Sequence, residues 1–409
     1  MITPPPIIGS LAAAPLASSE GGLGIAMLGV KPIRISSSIA TRPKGRAVLR
    51  RVTWSLVLVA CLGFAANVIA AAVLQLEHAL GAATSSDFRA GLPNYRGVDW
   101  ADTHFREFLE LQEAHHSYVG WRRLPYRGET INIDENGTRR TYLDPATTPT
   151  RTIAFFGGST LWGSGSDDGR TIPSAFARMH PEYRALNFGE TAHTAHQNLN
   201  ALVQVLAEGL EPDVVVFYNG SSEINKCRVG LTAFSTTDEP DIRRLLDRER
   251  RGLQTGEALW SVFEPVRTFG RKMRHSVEAR IFGPAERRDC SENPAKAETI
   301  ARTLFWDWLA AKHLVEGYGG RFIAAVQPVA YFSATRKDHI KIDPDLEEQY
   351  RIVYSKYDEL LGDFPSLERN FLDLRHALDR DEYIYIDADH AGPNGNAIVA
   401  GAIGAFLHQ

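Results

Sequence analysis

The chain has 409 residues, a formal net charge of -4, 44% apolar residues and 10% aromatic residues. That composition suits one large or two ordinary globular domains and excludes a mainly disordered chain. Basic and acidic residues are mixed along most of the length, so there is no electrostatic footprint for nucleic acid, and small molecules or glycans are the partners to expect.

Residues 1–51 are rich in Pro, Gly, Ser and Ala without helical periodicity, and read as a flexible basic tail. From Val52 to Leu76 no charge interrupts an apolar run. At about 1.5 Å per residue it is long enough for a hydrocarbon core of about 30 Å, so residues 52–76 are expected to be a signal anchor. Arg50, Arg51 and the basic residues before them predict a single pass through the inner membrane, with a cytoplasmic N-terminus and the rest of the chain periplasmic or extracellular. A cleaved signal peptide, with a shorter leader and apolar region, is one alternative. A buried soluble helix is the other. Of the three cysteines, Cys61 falls within the span, and Cys227 and Cys290 remain in a disulfide-permitting compartment. They are expected to form one bridge, the alternative being two free thiols.

Residues 77–150 read as a lead-in helix and a small β-element, with a hairpin signal at Glu135-Asn136-Gly137. Residues 151–409 alternate strand-like and helical runs: Ile153–Phe156, a helix over Leu199–Leu206, Val214–Tyr218, a helix over Leu304–Val315, Phe322–Val326 and a closing helix over Asn396–Leu407. Such alternation predicts an α/β fold with a parallel sheet between helical layers, binding ligands beyond the carboxyl ends of its strands. The loops at Ser159, Asn219–Ser222 and Gln327-Pro328 should therefore meet at one edge. An Arg-rich insertion at about 226–299 breaks the alternation. One or two amphipathic helices are expected there, as a lid, a headgroup contact or a solvated face.

Ile153-Ala154-Phe155-Phe156-Gly157-Gly158-Ser159-Thr160 reads as a buried strand whose glycines expose a serine and leave backbone N–H groups for an oxyanion. The run lacks the Gly-Lys-Ser/Thr end of a nucleotide loop. Near the C-terminus, Asp387-Ala388-Asp389-His390 supplies an imidazole base and, three residues before it, a carboxylate to orient it. Asp389 is expected to face away, with an exchange of roles with Asp387 left open. His193 and His196 offer two imidazoles but no acidic partner, so a polar loop at the site rim is expected; neither metal nor cofactor is expected.

These residues resemble the SGNH or GDSL-like serine hydrolases over about residues 152–409. Ser159 in Phe-Gly-Gly-Ser-Thr fits the first family block, Gly189 in Asn-Phe-Gly-Glu-Thr the second, and Asp387 with His390 the last. The resemblance implies a flavodoxin-like three-layer α/β/α sandwich, with Ser159 and Gly189 donating backbone N–H groups to the oxyanion. The third block departs from the pattern. Asn219-Gly220-Ser221-Ser222-Glu223 stands where the family has Gly-x-Asn-Asp or Gly-x-Asn-Glu, which puts Ser222 at the oxyanion asparagine, with Asn219 as a second candidate donor. An α/β-hydrolase would need a glycine at Leu161.

The expected activity is a membrane-anchored serine esterase. It would remove acetyl or other small acyl groups from a cell-envelope or exported polysaccharide, beside envelope polysaccharide machinery. The alternatives are an acyltransferase or lipid esterase with the same triad, and a non-catalytic glycan-binding or assembly protein with a degenerate oxyanion hole.

Overall fold

The computed structural model describes residues 44–84, 87–255, 265–266 and 287–409. Most of the tail, and 256–264 and 267–286 of the insertion, lie outside the described residues. The chain divides into two units at Leu62/Gly63, and the second, Gly63–Gln409, carries every strand described here.

Helix α1, Lys44–Thr84, includes the apolar stretch Val48–Leu76, which is long and apolar enough to cross a membrane. Its large side chains, among them Leu56, Val59 and Phe64, are exposed. The lead-in segment holds helix α2, Ala101–Glu110, the antiparallel pair β1, Glu113–His116, and β2, Gly120–Arg123, and the short pair β3, Tyr126–Arg127, and β4, Asn132–Ile133. Asp134 closes the turn at Asn136-Gly137: its Oδ1 accepts from the Asn136 and Thr138 N–H groups, and Gly137 takes a left-handed φ of 74°.

The remainder alternates as β5, Arg151–Gly157; α3, Ser159–Trp162; α4, Ile172–Met179; β6, Tyr183–Asn187; α5, Ala195–Ala207; β7, Val214–Asn219; α6, Glu239–Thr255; α7, Pro294–Gly317; β8, Arg321–Val326; α8, Pro344–Leu361; β9, Phe371–Asp373; and α9, Pro393–Leu407. Five strands form one parallel sheet in the order β6-β5-β7-β8-β9. Counted among themselves they run 2-1-3-4-5, the flavodoxin-like order, whose topological switch point lies at β5 and β7.

The central strands are apolar throughout because both faces are covered. Ala154, Phe156, Val215 and Phe217 pack with Leu202 of α5, Leu304 and Trp308 of α7 and Tyr357 of α8. Ile153, Phe155, Val214 and Val216 pack with Phe176 of α4 and with Val399 and Ile403 of α9. The result is the three-layer α/β/α sandwich that the alternation predicts.

Some boundaries differ from the sequence expectation, for local reasons. Helix α7 begins at Pro294, well before Leu304, because the Asn293 side chain accepts from the Lys296 N–H and proline suits the first helical turn. Helix α9 likewise starts at Pro393. Strands β6 and β9 went unread: β6 alternates buried and part-exposed positions at its N-terminal half, and β9 is three residues long. Within the insertion, α6 is the one helix of full length among the described residues, and over residues 241–247 its side chains are mostly exposed.

Candidate active site

The sheet order places the ends of β5 and β7 side by side, and the loops that leave them carry Ser159 and Ser222. β5 ends at Gly157, where a Cβ would come within 2.7 Å of the Tyr218 carbonyl oxygen. Only glycine fits so near the adjacent strand. The chain turns at once into α3, so Ser159 occupies its first position, where no intrahelical carbonyl can receive its N–H.

Ser159 Oγ lies 2.7 Å from His390 Nε2. On the far side of the ring, His390 Nδ1 lies 2.9 Å from both carboxylate oxygens of Asp387. The carboxylate is held in turn by the N–H groups of His390, at 2.8 Å, and Asp389, at 3.1 Å. The loop carrying Asp387 and His390 is a tight bend and not a helical turn; it closes through the Ile386 N–H on the His390 carbonyl at 2.9 Å.

Asp389 does not face away, as strand-like alternation suggested. The bend brings its Oδ1 to 3.3 Å from His390 Nδ1. Its Oδ2 accepts from Ser221 Oγ at 2.8 Å, and Ser221 also lies 2.6 Å from the Tyr350 hydroxyl. Two carboxylates thus flank one imidazole. Burial alone would lower the pKa of His390, but Asp387 and Asp389 outweigh it and raise it well above 6.5. Burial likewise pushes Asp387 up, yet the charge and hydrogen bonds of His390 hold it well below the usual carboxylate range.

The expected oxyanion donors are less uniformly placed. Ser222 Oγ lies 2.7 Å from where a Cβ on Gly158 would stand, so its hydroxyl borders the turn that carries Ser159. The Gly189 N–H, which the resemblance assigns to the oxyanion, donates to Asn187 Oδ1 at 3.0 Å. Gly189 packs hard against α3: a Cβ there would come within 2.5 Å of the Trp162 nitrogen. Asn219 turns its Oδ1 to the Trp308 indole N–H at 3.3 Å, while its amide nitrogen is buried without a hydrogen-bond partner.

The predicted convergence of loops is visible in their bonds. Thr160 Oγ1 donates to Gln327 Oε1 at 3.3 Å, the Gln327 N–H donates to the Asn219 carbonyl, and the Ala330 N–H donates to the Ala388 carbonyl. His193 and His196 do not converge on a common point. His193 Nε2 lies 3.0 Å from the Trp121 carbonyl, and His196 Nδ1 lies 2.9 Å from Asp307. Cys227 and Cys290 are joined by a disulfide.

Three supporting residues escaped the sequence reading. Arg139 is fully buried and donates to the carbonyls of Trp162, Gly163 and Ser166, capping the end of α3 from the lead-in segment. Arg123 and Arg139 both lie over the Trp162 indole, with guanidinium carbons 3.8 Å and 4.0 Å from a ring centroid. Glu223 accepts from the Ala195 N–H at 2.8 Å and the Gly220 N–H at 3.1 Å, tying the β7 loop to the start of α5. Its place in the third block was the one available signal.

No family model and no curated protein matches this chain. Among solved structures it is similar to a member of the lipolytic G-D-S-L family from Veillonella parvula, at 11% identity over 63% of this chain and 98% of that one, with a TM-score of 0.36. It is also similar to a carbohydrate acetylesterase from Sinorhizobium meliloti, at 17% identity over 63% and 99%, with a TM-score of 0.33. An acetyl xylan esterase matches at 13% identity over 62% and 98%, with a TM-score of 0.33.

Proposed function

We propose that the protein is a serine esterase that removes acetyl or other small acyl groups from a polysaccharide outside the cytoplasmic membrane, to which α1 anchors it. The observation that carries the reading is the hydrogen-bonded relay from Ser159 through His390 to Asp387, at 2.7 Å and 2.9 Å. A hydroxyl is a poor nucleophile until a base within hydrogen-bond reach takes its proton, and this relay supplies that base with its orienter.

In the proposed mechanism Ser159 Oγ attacks the acyl carbonyl while His390 Nε2 accepts its proton. Asp387 holds the proton on Nδ1 and balances the imidazolium that forms. The Ser159 N–H and the Ser222 hydroxyl face the developing oxyanion. His390 then gives its proton to the departing sugar hydroxyl, and water repeats the sequence on the acyl-enzyme. The exposed apolar face of the 29-residue stretch Val48–Leu76 supports the anchor.

The test is acid release from p-nitrophenyl acetate and from an acetylated polysaccharide by the full chain in detergent, beside Ser159→Ala and His390→Ala. Loss of activity in both variants is expected. Equal background rates in all three would overturn the hydrolase and favour a second reading, a non-catalytic glycan-binding protein. That reading is motivated by Ser222 at the oxyanion position and by the occupied Gly189 N–H.

A further inference from the structure

Far from Ser159, at the opposite end of the sheet, two imidazoles and a carboxylate converge. His180 caps the C-terminal end of α4, Glu182 immediately precedes β6, and His408 caps the C-terminal end of α9. His180 Nδ1 lies 3.7 Å from Glu182 Oε1 and 3.5 Å from His408 Nε2, and the three ligand atoms fall within 4.8 Å of one another.

We propose that His180, Glu182 and His408 form a divalent-cation site suited to zinc, which ties the C-terminal end of α9 to the start of β6. Zinc–nitrogen and zinc–oxygen bonds run about 2.0–2.2 Å, so neighbouring ligand atoms on a tetrahedral ion stand roughly 3.3–3.6 Å apart. The two measured edges match that spacing within small side-chain adjustments. Two histidines and one carboxylate are also a donor set that zinc accepts, with water in the fourth position.

The surroundings favour a cation. Two helices end at the site, and their C-terminal carbonyls carry partial negative charge. The His180 ring is seated against Phe176, with centroids 4.6 Å apart, and over Gly404, where a Cβ would come within 2.2 Å of Nε2. That seat leaves Nδ1 turned to Glu182 and His408. Sequence spacing offered no sign of the site, because 226 residues of chain separate Glu182 from His408.

The full chain, purified without a histidine tag, would be titrated with Zn²⁺ against a chromophoric chelator and with Co²⁺ by visible spectroscopy, alongside His408→Ala, Glu182→Gln and His390→Ala. His408 is exposed, so its removal leaves the fold intact. One equivalent of Zn²⁺ per chain and intense tetrahedral Co²⁺ bands are expected, both lost in His408→Ala and weakened in Glu182→Gln. At a Zn²⁺ concentration a hundred times Kd, Tm should rise by roughly 5–10 °C in the parent chain and not in His408→Ala. Equal binding by parent and His408→Ala would overturn the proposal, as would binding lost only in His390→Ala, which would place the ion on Asp387, Asp389 and His390. No binding by the parent chain would overturn it outright.

Discussion

Asp389 Oδ1 stands 3.3 Å from the same His390 nitrogen that Asp387 holds at 2.9 Å, so one imidazolium faces two carboxylates from a single bend. Only Asp387 receives the backbone N–H groups of its own loop; Asp389 spends its other oxygen on Ser221. In the proposed mechanism Asp387 is therefore the orienter, and Asp389 adds charge. Asp387→Asn should lower kcat on the order of 10⁴-fold, because an amide in that place favours the wrong tautomer. Asp389→Asn should cost far less and should move the rising, acidic limb of kcat/KM to lower pH, because one of the charges that raise the His390 pKa is gone. A larger loss in Asp389→Asn than in Asp387→Asn would reverse the two roles.

The same charges set a pH dependence. His390 has a folded-state pKa raised well above 6.5, so it contributes stability that is fully present below about pH 6.5 and is lost as pH rises through the raised value. Catalysis runs the other way, since the base must be neutral to accept the Ser159 proton. The parent chain should thus lose Tm and gain kcat/KM as pH rises above 6.5. His390→Gln, measured by calorimetry across the same range, should show a flatter Tm profile. An identical slope in the variant would remove His390 as the source.

Much of this site was legible because chemistry and fold coincide in short segments. Phe155-Phe156-Gly157-Gly158-Ser159 is at once a buried strand, a tight turn and a proposed nucleophile, and its neighbours along the chain fix its local geometry. Asp387 and His390 were legible for the same reason. Asp389 was misplaced because alternation holds only where the backbone is extended, and here it bends. Arg139 and Arg123 could not be found by local pattern: each lies more than 20 residues from the Trp162 it packs on, and each sits in an Arg-Arg pair that reads as solvated. The Gly189 N–H was assigned by family position, whereas the side chain two residues before it decides where it donates.

Ser222 is the residue on which turnover is expected to depend most after the triad. Its hydroxyl borders Gly158 but reaches less far than an amide, and one oxyanion donor is typically worth about 10²–10³-fold in kcat. Ser222→Asn should raise kcat on p-nitrophenyl acetate by up to about 10²-fold with little change in KM, and Ser222→Ala should lower it. Steady-state kinetics on both variants checks this. A fall in Ser222→Asn with an unchanged Tm would mean that the hydroxyl itself is the fitted donor.

Gly189 is required for packing whatever its N–H does. An added Cβ would meet the Trp162 nitrogen at 2.5 Å and its Cα at 2.9 Å, both backbone atoms of the nucleophile helix that cannot swing aside. Gly189→Ala should therefore cost about 3 kcal/mol of stability and displace α3, lowering kcat more than it raises KM. Denaturant unfolding beside kinetics would detect both. A variant with unchanged stability would show that the second loop yields more readily than this contact implies.

The disulfide bears on the same machinery from the other end. Cys227 closes the 3₁₀ turn Ser222–Cys227, so the bridge to Cys290 anchors the segment whose first residue borders the nucleophile. With a sequence separation of 63 between the cysteines, chain entropy alone predicts about 4 kcal/mol of stabilisation. Cys227→Ser with Cys290→Ser should lower Tm by about 8 °C and also reduce kcat, because Ser222 loses its tether. Free-thiol titration of the denatured parent chain, before and after reduction, should expose one thiol and then three, since Cys61 is free. Three thiols before reduction, from chain recovered from an oxidising compartment, would show that the bridge does not form there.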